Sequence, residues 1–234
     1  MTGPVAAALA SFRESQGSKA WCELPFFMEG LADEVASRID ERGGTGAQVL
    51  PQARDIFAAL QLVPLDRVKA VILGQDPYPT PGDAHGLAFS YRGLRRMPAS
   101  LRVILDELST DLGVARPASG DLTAWAREGV LLLNTALTVE AGRAGAHLKL
   151  GWSALSDEVL AAVSAQRPAV AFLLWGARAR QRAILIDTEK HLVIESGHPS
   201  PLNRLNDFRE TKPFSRTNAW LEMRGMSPID WRLP

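Results

Sequence analysis

The sequence predicts an α/β fold, read as a single three-layer α/β/α domain around a central four-stranded parallel sheet. Three observations carry this. Four short apolar runs, at 68–73, 130–133, 169–175 and 192–195, each have the length of a strand. Three of them are rich in Val, Ile or Leu with little alternation, the pattern of strands buried on both faces. Helical patterns lie between the runs, and alternation of strands with helices implies parallel crossover connections. Finally, 234 residues are enough for one domain with a sizeable core. Repeats, low-complexity segments and linkers are not evident in the sequence.

The elements follow in chain order. Residues 1–24 are small and polar and are expected to form a flexible, loosely held N-terminal arm. Residues 25–39 read as one helix, because Phe27, Leu31, Val35 and Ile39 recur every fourth position. Gly43-Gly44-Thr45-Gly46 ends it. Residues 51–60 suggest a short helix with Pro51 in its first turn. After the first apolar run, helices are expected at about 99–112, 122–128, 152–164, 178–186 and 215–224.

Composition sets limits on function. Hydrophobic residues make up 46 % and charged residues 22 %, as in an ordinary globular protein. Apolar runs are too short to span a membrane, and the first twenty residues lack the apolar stretch of a secretory signal. Cys22 alone makes neither an internal disulfide nor a zinc cluster, and suits a reducing cytoplasm. Lys plus Arg and Asp plus Glu are both 26, so any nucleic-acid binding must come from a local face. Arginines do cluster at 92, 95, 96 and 102, at 178, 180 and 182, and at 204 and 209. Each cluster reads either as solvated surface or as such a face.

In an open α/β sheet, ligands bind beyond the carboxyl ends of the strands. The first run leads into Gly74-Gln75-Asp76-Pro77-Tyr78-Pro79-Thr80-Pro81. Three prolines in five positions make a stiff loop that can hold one acid in place. Asp76 is either that acid or the cap of a turn. Tyr78 and, further on, Phe89 are aromatic walls of a site or plain core. The second run ends in Asn134, whose amide is either tied to backbone or free to read a polar base edge. The third ends at Gly176, where backbone can approach a ligand and a following helix offers its amides to phosphate. The fourth leads into Gly197-His198-Pro199-Ser200-Pro201-Leu202, a Pro-framed loop with an apolar residue that could wedge between bases. Walker-type glycine loops, nucleophile elbows and metal-ligand spacings are not found. One carboxylate, one amide, one imidazole and two aromatics suit cleavage without a metal or a covalent nucleophile, so no cofactor is expected.

These tracts resemble family-1 uracil-DNA glycosylases. The resemblance rests on Gly74-Gln75-Asp76-Pro77-Tyr78, 84–90 (Ala-His-Gly-Leu-Ala-Phe-Ser), 129–135 with Leu137-Thr138-Val139, Leu150-Gly151-Trp152 and 197–202. It spans roughly 51–221. It implies a monofunctional enzyme, in a domain formed by 25–234, that flips uracil from DNA and hydrolyses the N-glycosidic bond. The abasic site it leaves initiates base excision repair. By the same resemblance, Asp76 and His198 are catalytic, and Gln75, Tyr78, Phe89 and Asn134 bind substrate. Pro98, Ser100, Gly176, Pro199, Ser200 and Pro201 contact DNA, and Leu202 fills the gap left by the flipped base. The implied partner is uracil-containing DNA, single- or double-stranded, bound by a monomer. Two alternatives are a non-catalytic binder of damaged or abasic DNA and a mismatch glycosylase of broader range.

The sequence also departs from the family. Members usually carry His-Gly-Pro-Gly-Gln after the Tyr, whereas here the run is Pro79-Thr80-Pro81-Gly82-Asp83. Ala177 stands in place of a Ser. The stretch from Asn203 to Phe208 replaces the usual Ser-x-Arg-Gly-Phe pattern. Intact Asp76, Asn134 and His198 beside altered loops imply retained catalysis with changed DNA grip and product release. The altered loop after Leu202 also argues against binding of the family's phage-encoded, DNA-mimicking inhibitor.

Overall fold

The computed structural model describes residues 3–44, 46–205 and 207–234. Its helices are α1 (Pro4–Glu14), α2 (Lys19–Cys22), α3 (Pro25–Met28), α4 (Leu31–Gly43), α5 (Ala58–Leu62), α6 (Ala99–Leu112), α7 (Thr123–Arg127), α8 (Trp152–Gln166), α9 (Ala177–Arg180) and α10 (Pro213–Met223). Its strands are β1 (Val49–Leu50), β2 (Ala70–Gly74), β3 (Val130–Asn134), β4 (Val139–Glu140), β5 (Ala171–Trp175) and β6 (Leu192–Ser196).

The four apolar runs are the four strands of one parallel sheet, in the order β3-β2-β5-β6. Helices flank it, as expected. Every residue of β2, β3 and β5 is buried, which is why these runs lack polar alternation. The edge strand β6 is only partly buried and tolerates Glu195 on its open side. The antiparallel pair β1–β4 was not anticipated, because two-residue strands carry no periodicity.

Strand order sets the place of the site. From β2 the chain proceeds to β3 on one side, whereas from β5 it proceeds to β6 on the other. The crevice between the carboxyl ends of β2 and β5 is therefore the topological switch point, where α/β sheets bind ligands.

The N-terminal segment is not a loose arm. Residues 4–22 are largely helical, and Val5, Leu9, Phe12 and Trp21 are core residues. Phe12 stacks on Phe57 with ring centroids 4.6 Å apart. Asp40 supplies the missing cap of α1, its two carboxylate oxygens accepting from the Val5 and Ala6 amides at 2.9 and 3.0 Å. The indole of Trp21 donates to the Leu60 and Val63 carbonyls. Spaced apolar residues in an Ala-rich stretch hid this packing. Met1 and Thr2 lie outside the described residues.

Three helices differ from expectation. Residues 25–39 are not one helix but α3 and α4, separated by a turn at Glu29–Gly30. The 51–60 segment is a 3-10 turn, Ala53–Asp55, followed by α5. The 178–186 segment likewise divides into α9 and a 3-10 turn at Gln181–Leu185.

Candidate active site

The backbone after β2 is clamped before any side chain acts. The Gly74 carbonyl accepts from the Thr135 amide at 3.0 Å. The Gln75 carbonyl accepts from the Ala136 amide at 2.9 Å and from the Thr135 hydroxyl at 2.8 Å. Gly74 and Asn134 are paired in register. A Cβ on Gly74 would clash with Asn134 Oδ1 and lie 2.8 Å from Ala88 Cβ. Glycine is therefore the residue that lets the Asn134 amide sit over β2. Asn134 is 6 % exposed, and among the described residues no protein group hydrogen-bonds its carboxamide. The alternative of an amide tied to backbone is thus disfavoured.

Asp76 is held from two sides. Its Oδ2 accepts from the Gly145 amide at 2.6 Å, and its Oδ1 accepts from the Gln75 side-chain amide at 2.9 Å. Two residues beyond Gly145 lies a buried network in which Trp152 Nε1 donates to Thr138 Oγ1 at 2.7 Å and Thr138 Oγ1 lies 2.9 Å from His147 Nδ1. Burial pushes the His147 imidazole below its ordinary range, so this histidine is a neutral strut. Thr138 and Trp152 of the motif tracts are thus joined through buried hydrogen bonds.

Phe89 has φ 62°, left-handed backbone that a phenylalanine adopts only under constraint, at a cost of about 1–3 kcal/mol. The constraint is visible. The Tyr78 hydroxyl donates to the Phe89 carbonyl at 2.8 Å, and the Ala88 amide donates to the Leu132 carbonyl at 3.0 Å. The Phe89 ring tilts against Trp175 at 5.6 Å and against His198 at 6.1 Å. Burial raises the Tyr78 phenol, with the nearby Asp83 and Tyr91 adding to the shift, so it stays a donor.

His198 sits exposed at the cleft mouth, yet the cleft walls desolvate its ring enough to lower its pKa and favour neutral imidazole. The tautomer follows from one bond. The Ser200 amide donates to His198 Nδ1 at 3.0 Å, and an amide N–H cannot accept. The neutral ring therefore carries its proton on Nε2. Gly176, with φ 91°, permits the close approach, since a Cβ there would lie 3.0 Å from His198 Cβ.

Asp76, Gln75, Tyr78, Phe89, Asn134 and His198 line one cavity of about 270 Å³, with Ser100 at its wall. That is below the roughly 300–1,000 Å³ of drug-sized pockets. A neighbouring cavity of about 370 Å³ shares Gln75, Phe89 and His198 and includes Gly176, Arg178 and Arg182. It lacks Asp76 and Asn134, so the smaller cavity is the chemical centre. Pro98, Pro199, Ser200, Pro201 and Leu202 lie outside both linings. Pro98 precedes α6 and Ser100 stands in its first turn. Leu202 is 88 % exposed, and its amide donates to Ser200 Oγ at 3.1 Å.

Sequence reasoning missed Gly145, Trp175, Arg178 and Asn203. Asn203 Nδ2 donates to the His198 carbonyl at 3.1 Å and to Asp207 Oδ1 at 2.7 Å. Two departures after Leu202 thus bind back onto the His198 loop. Asn206, in the same stretch, lies outside the described residues. Arg178 donates to Gln75 Oε1 at 2.9 Å. Its cluster was read as either surface or DNA face, and spacing alone cannot reveal a partner 103 positions away. Among the described residues, no group of three His, Cys, Asp or Glu side chains is placed to hold a metal.

Comparison with known proteins agrees with this geometry. Residues 60–222 match the family model for the Uracil DNA glycosylase superfamily. A uracil-DNA glycosylase of Sinorhizobium medicae is 47 % identical over 210 residues, covering 90 % of this chain and 87 % of its own. One from Bacillus velezensis is 50 % identical over 186 residues, covering 80 % and 82 %. Among solved structures, mimivirus uracil-DNA glycosylase superposes with a TM-score of 0.82 at 25 % identity, over 97 % of this chain and 87 % of that one. The fold is also that of the mimivirus Y322L variant solved in complex with UGI, with a TM-score of 0.90 at 23 % identity, covering 100 % and 96 %. The family match spans well over half the sequence, and relatives near half identical span most of it: the chain belongs to the uracil-DNA glycosylase superfamily.

Proposed function

We propose that the protein is a monofunctional uracil-DNA glycosylase that flips uracil from DNA and hydrolyses its N-glycosidic bond. The observation that carries this reading is the meeting of Asp76, Asn134, Phe89 and an Nε2-protonated His198 at one cavity on the switch point. Phe89 stacks on the base. Asn134 accepts from the imide N–H and donates to a carbonyl, so cytosine would meet a donor with its amine, costing about 1–3 kcal/mol. Tyr78 stands beside the ring carbon that bears a methyl group in thymine and excludes it by contact.

The bond between the anomeric carbon and the base nitrogen breaks, and its electron pair leaves with uracil. Positive charge grows on the sugar, and Asp76 stabilises it and positions the attacking water. Water adds to the anomeric carbon and releases a proton to solvent, from which the departed uracil anion takes one up. His198 Nε2–H donates to the uracil oxygen that gains charge, a contribution of about 3–4 kcal/mol for a preorganised donor. Neutral imidazole suits this role, since burial lowers its pKa.

DNA is gripped at its phosphates by Ser100, Gly176 and Ser200, with Pro98, Pro199 and Pro201 shaping those loops. The Ser200 oxygen accepts from the Leu202 amide, which leaves its hydroxyl hydrogen for a phosphate. Leu202, standing out into solvent, fills the gap in the stack. Arg95 and Arg96 are exposed and form no ion pair among the described residues, so their charge supports a local DNA face. The protein acts as a monomer in the cytoplasm, and the altered loop after Leu202 disfavours the phage-type inhibitor.

The test is a panel of single- and double-stranded oligonucleotides carrying uracil, a thymine mismatch or hypoxanthine, followed by alkaline cleavage of abasic sites. Cleavage confined to the uracil strands is expected. An intact uracil strand would sink the enzyme reading in favour of a non-catalytic binder, and cleavage at thymine would favour a broader mismatch glycosylase.

A further inference from the structure

The geometry points to Arg178 as a positioning residue for Asp76, acting through Gln75 across the switch point. This rests on the proposed excision of uracil, in which Asp76 acts on the sugar. Arg178 begins just past the end of β5, and Gln75 and Asp76 lie just past the end of β2. Arg178 Nη1 donates to Gln75 Oε1 at 2.9 Å, and Gln75 Nε2 donates to Asp76 Oδ1 at 2.9 Å.

The direction of this chain is forced by chemistry. A guanidinium has only donors, so the face of Gln75 toward Arg178 must be its oxygen. The amino face of Gln75 is then left for Asp76, which as a carboxylate only accepts. Without Arg178 only the carboxylate orders the Gln75 amide, and the exposed side chain is free to turn out to solvent and release Asp76 Oδ1. Arg178 therefore selects the Gln75 orientation that keeps Asp76 in place.

Both ends of the relay are anchored. The Gln75 carbonyl is held by Thr135 and Ala136, leaving the side chain as the adjustable part. The Arg178 carbonyl accepts from Arg182 Nη1 at 3.0 Å, and Arg182 Nε pairs with Asp157 Oδ1 at 2.7 Å. The Gly145 amide fixes the second oxygen of Asp76, so the two bonds together define the plane of its carboxylate. DNA closing over the cleft would remove water from these charge-assisted bonds and strengthen them.

The experiment measures kcat and KM for wild type, Arg178→Met, Arg178→Lys, Gln75→Met and the Arg178→Met/Gln75→Met pair, at two salt concentrations. A uracil-containing duplex is the substrate, and thermal unfolding reports the fold. Arg178→Met is expected to lower kcat about tenfold, the loss of one charge-assisted bond, with KM within about twofold. Lys should recover part of the rate, since it can still donate to the Gln75 oxygen. The double variant should be no slower than Gln75→Met alone. A raised KM with unchanged kcat, and a salt slope smaller by about one, would mean that Arg178 grips a phosphate instead. That result, or additive losses in the double variant, would overturn the inference. NMR of the Gln75 side-chain amide in wild type and Arg178→Met reads its orientation without turnover. An unchanged amide environment would also overturn the inference, whereas a wild type unable to excise uracil would overturn only the reading of the function.

Discussion

At the residue scale, the site rests on contacts that single substitutions disturb one at a time. Tyr78 holds the strained carbonyl of Phe89 through its hydroxyl. Tyr78→Phe keeps the ring, so it should destabilise the fold by about 1 kcal/mol in denaturant unfolding and lower kcat. Gly74→Ala places a methyl group against Asn134 Oδ1. It should cost about 1–3 kcal/mol by overpacking and cut kcat/KM for uracil more than Tyr78→Phe does, measured on the same oligonucleotide. Asp76, Asn134 and His198 were legible in the sequence because each follows an apolar run, where an α/β sheet binds ligands. The left-handed backbone at Phe89 was not legible, since a non-glycine residue at positive φ leaves no compositional trace. Nor was the Gly145 amide on Asp76, because 69 positions separate the partners.

At the element scale, strands were easier to read than helices. β2, β3 and β5 announce themselves because burial on both faces removes polar alternation. Short helices do not, since periodicity needs several turns: residues 25–39 keep their fourfold apolar spacing across the turn between α3 and α4. The loop after β6 shows the same limit. Its departures from the family pattern were visible, but their effect was not. Asn203 and Asp207 turn out to fasten the His198 backbone. Asn203→Ala should therefore lower kcat severalfold with little change in melting temperature, because the bond is exposed and local. An unchanged rate would show that His198 is held by Ser200 alone.

At the scale of the whole molecule, the fold depends on a segment that sequence patterning assigned to a loose arm. Trp21 is fully buried, so Trp21→Ala should cost about 3–5 kcal/mol in chemical unfolding. A near-zero change would restore the loose arm. Stability should also depend on pH through His85. Burial, with Arg92 adding and Asp121 opposing, lowers this imidazole from its ordinary value of 6.5 to about 4. Between those values the unfolded chain holds a proton that the folded chain does not. The contribution is thus present above pH 6.5 and is lost as pH falls to about 4, a change of the order of 3 kcal/mol. His85→Gln, which retains a partner for Ser90, should flatten that slope.

On the proposed mechanism, Asp76 and His198 together break the bond between sugar and uracil. The most direct measurement is the single-turnover rate of uracil release from a defined oligonucleotide by wild type, Asp76→Asn and His198→Gln, each shown to be folded. Wild type should release uracil, and each substitution should slow release by about a hundredfold or more, as loss of one preorganised electrostatic group does. Release by both variants at close to the wild-type rate would contradict that mechanism.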